Sequence, residues 1–141
     1  MHRVVVDTNV LISGIIQRNG FSFKVIRMWE DEALVLITSA ATIEEAGRVL
    51  NYSKIRKRYK LTDDDIKRSI TNLLRYSVIA DDPPEINAIK EDNDDNKILA
   101  TAVAGRADYI ISGDVHLLNL KSFRGIEIVT PRRFCEIVGA D

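Results

Sequence analysis

The stretch RVVVDTNV, residues 3–10, decides how the rest of the chain is read. Three consecutive valines after Arg3 have no polar alternation, so the segment reads as a strand buried on both faces, which is the signature of a parallel sheet covered by helices. Asp7 then follows at the strand's carboxyl end, where an open parallel sheet places its ligands. Working outward, four more short apolar runs repeat the pattern: ALVLI (33–37), SVIA (77–80), DYIIS (108–112) and IEIV (126–129). The segments between them carry helical period. Ser39 is placed to cap a helix with Ile43, Ala46, Val49 and Leu50 on one face, which Gly47 weakens by about 1 kcal/mol relative to alanine. Thr62 and Asp65 form a capping box ahead of Ile66, Ile70, Leu73 and Leu74. A third helix covers 96–104, and TPRRFCEIV closes the chain with Thr130 as cap and Pro131 at the first helical position. Strands alternating with helices predict a three-layer α/β/α sandwich with a central, mostly parallel five-stranded sheet, formed as one domain over residues 1–141.

Composition narrows the function. Of 141 residues 45% are hydrophobic, enough for a sizeable core, and the 29% that are charged nearly cancel to a net charge of −1. No global positive field announces a polyanionic partner, so any such partner must be met by local cations. The apolar runs are too short and too interrupted to cross a bilayer, and the single cysteine, Cys135, forms no internal disulfide, so the expected setting is the cytoplasm. Neither a phosphate-binding GxxxxGK[ST] loop nor a GxGxxG fingerprint occurs, which leaves a nucleotide cofactor without support. Cys135, His2 and His116 lack the spacing of a zinc site.

The carboxylates carry the chemistry. Asp7 and Asp114 each follow a strand, a poor place for an uncompensated acid unless a cation is present; the competing reading makes each the cap of a following helix. In EDNDDNKIL (91–99), acids at a helix start are favoured by the helix dipole. Asp95 nevertheless leaves the same stripe as Ile98, Leu99 and Ala102, which faces the sheet, and Asp92 lies one turn earlier on a similar side. Glu91 and Asp94 fall to solvent and capping. Glu45 is the inward acid of its helix, whereas Glu44 and Arg48 suit a surface i, i+4 pair. Hard divalent ions such as Mg²⁺ or Mn²⁺ need a few oxygen ligands of this kind and retain several waters. The cations of KIRKRYK (Lys54, Arg56, Lys57, Arg58, Lys60) surround Tyr59 and suit either RNA binding or a solvated helix face. Arg18, Arg132 and Arg133 are weaker candidates of the same kind.

Together, VVVDTNVLISG (4–14), ITSAATIEEAGRVLNYSKIR (37–56), DNDDNKILATAVAGRADYIISGDVHLLNL (92–120) and IEIVTPRRF (126–134) resemble, in order, the motifs of PIN-domain proteins, and more narrowly the VapC-like ribonucleases of prokaryotic toxin–antitoxin pairs. That resemblance implies an acidic quartet of Asp7, Glu45, Asp95 and Asp114, with Asp92 as an additional metal ligand and Asn9 and Ser112 in support. Where relatives of this branch often read DPDD, this chain has DNDD with Asn93, a change of loop stiffness that removes no acid. The resemblance further implies an Mg²⁺- or Mn²⁺-dependent endoribonuclease with an RNA substrate, an antitoxin partner and a homodimer. Two alternatives stand beside it: an RNA-processing or quality-control nuclease without antitoxin, and a non-cleaving module that binds RNA or protein. For the homodimer, the helices around residues 51–77 and the stretch GFSFKVIRMW (20–29) offer apolar contact surface, or core.

Overall fold

The computed structural model describes residues 1–89 and 92–139. Its elements run β1 (Arg3–Val6), α1 (Thr8–Ile16), α2 (Phe21–Glu30), β2 (Val35–Thr38), α3 (Ala40–Leu50), α4 (Ser53–Tyr59), α5 (Asp63–Tyr76), β3 (Val78–Ile79), α6 (Asn93–Ala104), β4 (Tyr109–Ile111), α7 (Val115–Leu120), β5 (Ser122–Phe123), β6 (Ile126–Val129) and α8 (Pro131–Val138). The strands form one sheet in the order β3-β2-β1-β4-β6-β5. All pairings are parallel except β5 with β6, where Ser122 faces Glu127 and Phe123 faces Ile126. The sheet therefore has six strands where five were expected. The extra one is two residues long, too short to leave a periodic signal, and it forms because a tight turn folds it back onto β6.

The unbroken apolarity of the strands has a direct cause. Val4 and Val6 enter a core built against α1, α2, α3, α5 and α8, while Val5 points into a second core against α6 and α7. Neighbouring strands divide in the same way: Leu36 and Ile111 join the first core, Ile37 and Ile110 the second. A polar residue at any of these positions would be buried on whichever face it occupied.

The helix starts follow the expected caps. Ser39 accepts from the Thr42 N–H, the Thr62–Asp65 capping box is formed in both directions, and Thr130 accepts from the Arg133 N–H with Pro131 next in line. Two details differ. Helix α6 begins at Asn93, three residues before the expected start, because Asp92 caps it; Glu91, expected at its solvent edge, lies outside the described residues. The 20–29 stretch is helix α2, whose Gly20 cap adopts φ 94° and offers no side-chain oxygen, so no start signal was present to read. Val25, Ile26 and Trp29 of α2 are core, and Gly14 lets α1 cross it closely, since a Cβ there would collide with Ile26. Among the described residues, no helix is long and apolar enough to cross a membrane.

Candidate active site

Strand order creates the site. From β1 the sheet continues to β2 on one side and to β4 on the other, so the chain's connections diverge at the β1/β4 boundary and open a crevice beyond its carboxyl ends. Val6 pairs with Ile111 at that end, and Asp7 and Ser112 are the next residues on each strand. The Asp7 N–H donates to the Ile111 carbonyl at 3.1 Å, locking the two strand ends together. Ser112, fully buried, donates its hydroxyl to Asp7 Oδ2 and accepts the Asp114 N–H at 2.9 Å. Asp7 Oδ1 takes the Val10 N–H at 2.9 Å and caps α1. Capping and site membership, posed as rivals in the sequence, are thus combined in one carboxylate. Asp114 does the same, accepting the His116 and Leu117 N–H groups at 2.8 and 3.2 Å while its carboxylate faces the crevice.

The second wall is the start of α6. Asp92 accepts the Asp94 and Asp95 N–H groups at 3.0 and 3.1 Å, which fixes the first turn. Asp95 is then carried inward, only 7% exposed, while Asp94 stays on the surface. One carboxylate oxygen from each of Asp92, Asp95 and Asp114 lies within 4.8 Å of the others. Asp7 and Glu45 border the same cavity of about 420 Å³, with Asn9 exposed at its rim. Glu45, half-buried on α3, accepts a hydrogen bond from Thr8 Oγ1 at 3.3 Å.

So many acids in one place perturb each other. Burial drives the Asp95 carboxyl up to about 7, and the hydrogen bond and charge of Asp114, with the charges of Asp92 and Asp7, push the same way. Burial also raises Asp7, against the lowering effect of the Ser112 and Val10 bonds. For Asp114, burial acts upward, but the bond from Asp95 and the Leu117 and His116 N–H groups outweigh it and its carboxyl lies below the ordinary range. Asp95 and Asp114 therefore share one proton near neutrality. Apart from that proton, Asp95 Oδ2 is buried with no donor to satisfy it. A buried acid oxygen without a donor, beside two further carboxylates, fits a hard divalent cation, which would replace the shared proton and satisfy the orphan oxygen.

Several residues that the sequence did not assign to the cavity border it. Glu44 and Arg48 do so, although helical spacing suited them to a surface pair, as do Lys97 and Asp94, the latter expected only at solvent and in capping. No Glu44–Arg48 ion pair forms among the described residues. Thr8 was also missed, although its place directly after Asp7 in DTNV was a signal that could have found it. The basic stretch lies elsewhere: Lys54, Lys57, Arg58 and Lys60 are exposed on and just after α4, Tyr59 is half-buried, and Arg56 is bound to Asp63 at 2.7 Å. None of these residues borders the acidic cavity. Arg132 and Arg133 are both engaged by Glu136.

Comparison with known proteins agrees with this geometry. A family model described as PIN domain matches residues 3–116. An uncharacterized protein of the archaeon Methanocaldococcus jannaschii is 32% identical over 142 residues, covering 95% of this chain and 90% of its own length.

Proposed function

The chain belongs to the PIN-domain family, and from that premise we propose that it is a metal-dependent endoribonuclease, the toxin component of a toxin–antitoxin pair acting in the cytoplasm, with residues 1–141 as one nuclease domain. PIN domains are generally nucleases that need a divalent metal, and the acidic cluster of Asp92, Asp95 and Asp114 suits that requirement. The observation that carries the reading is Asp95: a buried carboxylate whose Oδ2 lacks a donor and whose neighbours are two more acids.

In this reading Asp7, Asp92, Asp95 and Asp114 would hold Mg²⁺ or Mn²⁺, with Glu45 on the facing wall. When bound, the ion supplies a water of lowered pKa and neutralises charge on the phosphodiester oxygens. The chain's own residues do the remainder. Ser112 holds Asp7 in its ionised orientation, and Thr8 fixes Glu45, which accepts a proton from water in the cavity. Arg48, Lys97 and Asn9 meet the phosphate groups on either side and offset the repulsion between the acids and the RNA backbone. Hydrolysis leaves a 5′-phosphate and a 3′-hydroxyl. A homodimer draws support from Leu74, Tyr76 and Val78, which are large, apolar and exposed around the end of α5 and the edge strand β3.

The test is incubation of the purified chain with end-labelled RNA in Mg²⁺ or Mn²⁺ and then in EDTA. Metal-dependent cleavage lost in Asp7→Asn is the expected result; cleavage that survives either EDTA or that substitution sinks the reading. For the toxin role, expression is expected to arrest growth, relieved by co-expression of a small neighbouring reading frame. A light-scattering mass near 15.9 kDa instead of twice that value would remove the dimer.

A further inference from the structure

At the far end of α1 from the acidic cavity, the turn after α1 and the end of α4 enclose a second depression of about 410 Å³. Gln17, Arg18 and Asn19 form one side, and Arg58, Tyr59 and Lys60 the other. Arg18, Arg58 and Lys60 are exposed, and among the described residues none of the three forms an ion pair, in contrast to Arg56 a turn earlier. The Arg58 guanidinium sits 5.4 Å from the centre of the Tyr59 ring, so cation and ring form one platform.

We propose that this depression is a nucleotide subsite for single-stranded RNA: a base stacks on the Tyr59–Arg58 platform, and Arg18 and Lys60 take the flanking phosphates. The proposal rests on the ribonuclease reading and adds where the substrate lies. The carboxyl ends of α1 and α4 both approach this place, and their partial negative charge accounts for a cation or two. It does not account for an aromatic ring held half-exposed among three free cations drawn from two distant segments. Aromatic–guanidinium platforms in a positive groove are the chemistry by which single strands are held without base-specific hydrogen bonds. The route to the cavity is also present. Asn9, Ser13 and Ile16 recur at helical spacing along the outer face of α1, with Asn9 bordering the acidic cavity and Ile16 the depression. At 1.5 Å per residue α1 is about 13 Å long, a span of a few nucleotides.

Binding of a fluorescein-labelled oligoribonucleotide, followed by anisotropy in EDTA so that nothing is hydrolysed, tests this. The triple variant Arg18→Gln, Arg58→Gln, Lys60→Gly is expected to bind about tenfold more weakly and to lower the slope of log Kd against log salt by about 1.4, the value for the two phosphate contacts of Arg18 and Lys60 on a single strand. Glycine suits Lys60, whose φ is 53°, and a circular-dichroism melt confirms the fold. Tyr59→Leu is expected to weaken binding several-fold with the salt slope unchanged, since it removes stacking and no charge. Lys54→Gln with Lys57→Gln, on the same helix outside the depression, sets the background of general electrostatics. A triple variant that binds like the wild type, or no worse than the Lys54/Lys57 variant, overturns the subsite. RNA that binds through the depression yet stays intact in Mg²⁺ and Mn²⁺ overturns the nuclease reading alone.

Discussion

Ser112 and Asp7, 105 residues apart in the chain, meet in a buried hydrogen bond at the adjoining ends of β4 and β1, and the same serine oxygen receives the Asp114 N–H. One hydroxyl thus orients two of the acids. Ser112→Ala leaves Asp7 Oδ2 without its donor, which raises the Asp7 carboxyl further and frees its side chain. Outer-shell partners of this kind are worth about 10–100-fold in metal affinity. Calorimetric titration with Mn²⁺ is expected to show a loss in that range with the fold retained. A loss below about twofold would mean that Ser112 is only a packing residue.

The proton on Asp95 sets a pH dependence with a definite sign. Its carboxyl is raised from 3.8 to about 7 in the fold, so between those values the native state holds a proton that the unfolded chain has released. Metal-free stability therefore falls as pH rises from about 4 to about 7, and the loss is complete above that. Asp7, raised by burial, contributes in the same direction. Asp114 is lowered, so its gain is already complete above its unfolded value and does not change the slope in this window. Thermal melts in EDTA across this range test the sign, and Asp95→Asn is expected to flatten the curve and to stabilise the metal-free protein near neutrality by about 1–3 kcal/mol.

In the proposed reading metal affinity runs the other way, because a bound ion would displace that proton. Binding is expected to strengthen as pH rises through about 7, with release of about one proton measurable by calorimetry in buffers of different ionisation enthalpy. Binding that is flat between pH 6 and 8 would remove Asp95 from the ligand set.

Asp92, Asp94 and Asp95 are separable. Asp95→Ala and Asp92→Ala are both expected to abolish cleavage, but only Asp92→Ala also removes a helix cap, at a cost of about 1 kcal/mol. Asp92→Asn keeps an acceptor for the Asp94 and Asp95 N–H groups and removes the charge, so its melting temperature stays near wild type while metal binding is lost. Asp94→Ala, on the exposed side of the turn, changes activity by less than about threefold by comparison. Equal damage from Asp94→Ala and Asp95→Ala would contradict the orientation of α6.

Gly47 gives a prediction away from the chemistry. A Cβ there would lie 3.5 Å from Ile70 Cδ1, an ordinary contact. Gly47→Ala is expected to raise stability by about 0.5–1 kcal/mol through helix propensity, with cleavage unchanged. A lower denaturation midpoint would show that α3 and α5 pack more tightly than this distance implies.

Local signals in the sequence determined the alternation of strands and helices, the burial of β1 on both faces, the caps at Ser39, Thr62 and Thr130, and the burial of Asp95 beside an exposed Asp94. Each depends on periodicity or on hydrogen bonds within a few residues, which a linear reading contains. Tertiary structure alone decided the rest. It brought Asp92 and Asp95 of α6 to Asp114 after β4, bonded Ser112 to Asp7, turned Arg48 and Lys97 toward the cavity, added β5 to the sheet edge and set Arg18 beside Tyr59. These relationships join segments that share no turn or period, and they exist because strand order reverses at β1 and β4. That reversal, which no local pattern encodes, is what makes the β1/β4 crevice the meeting place of the acids.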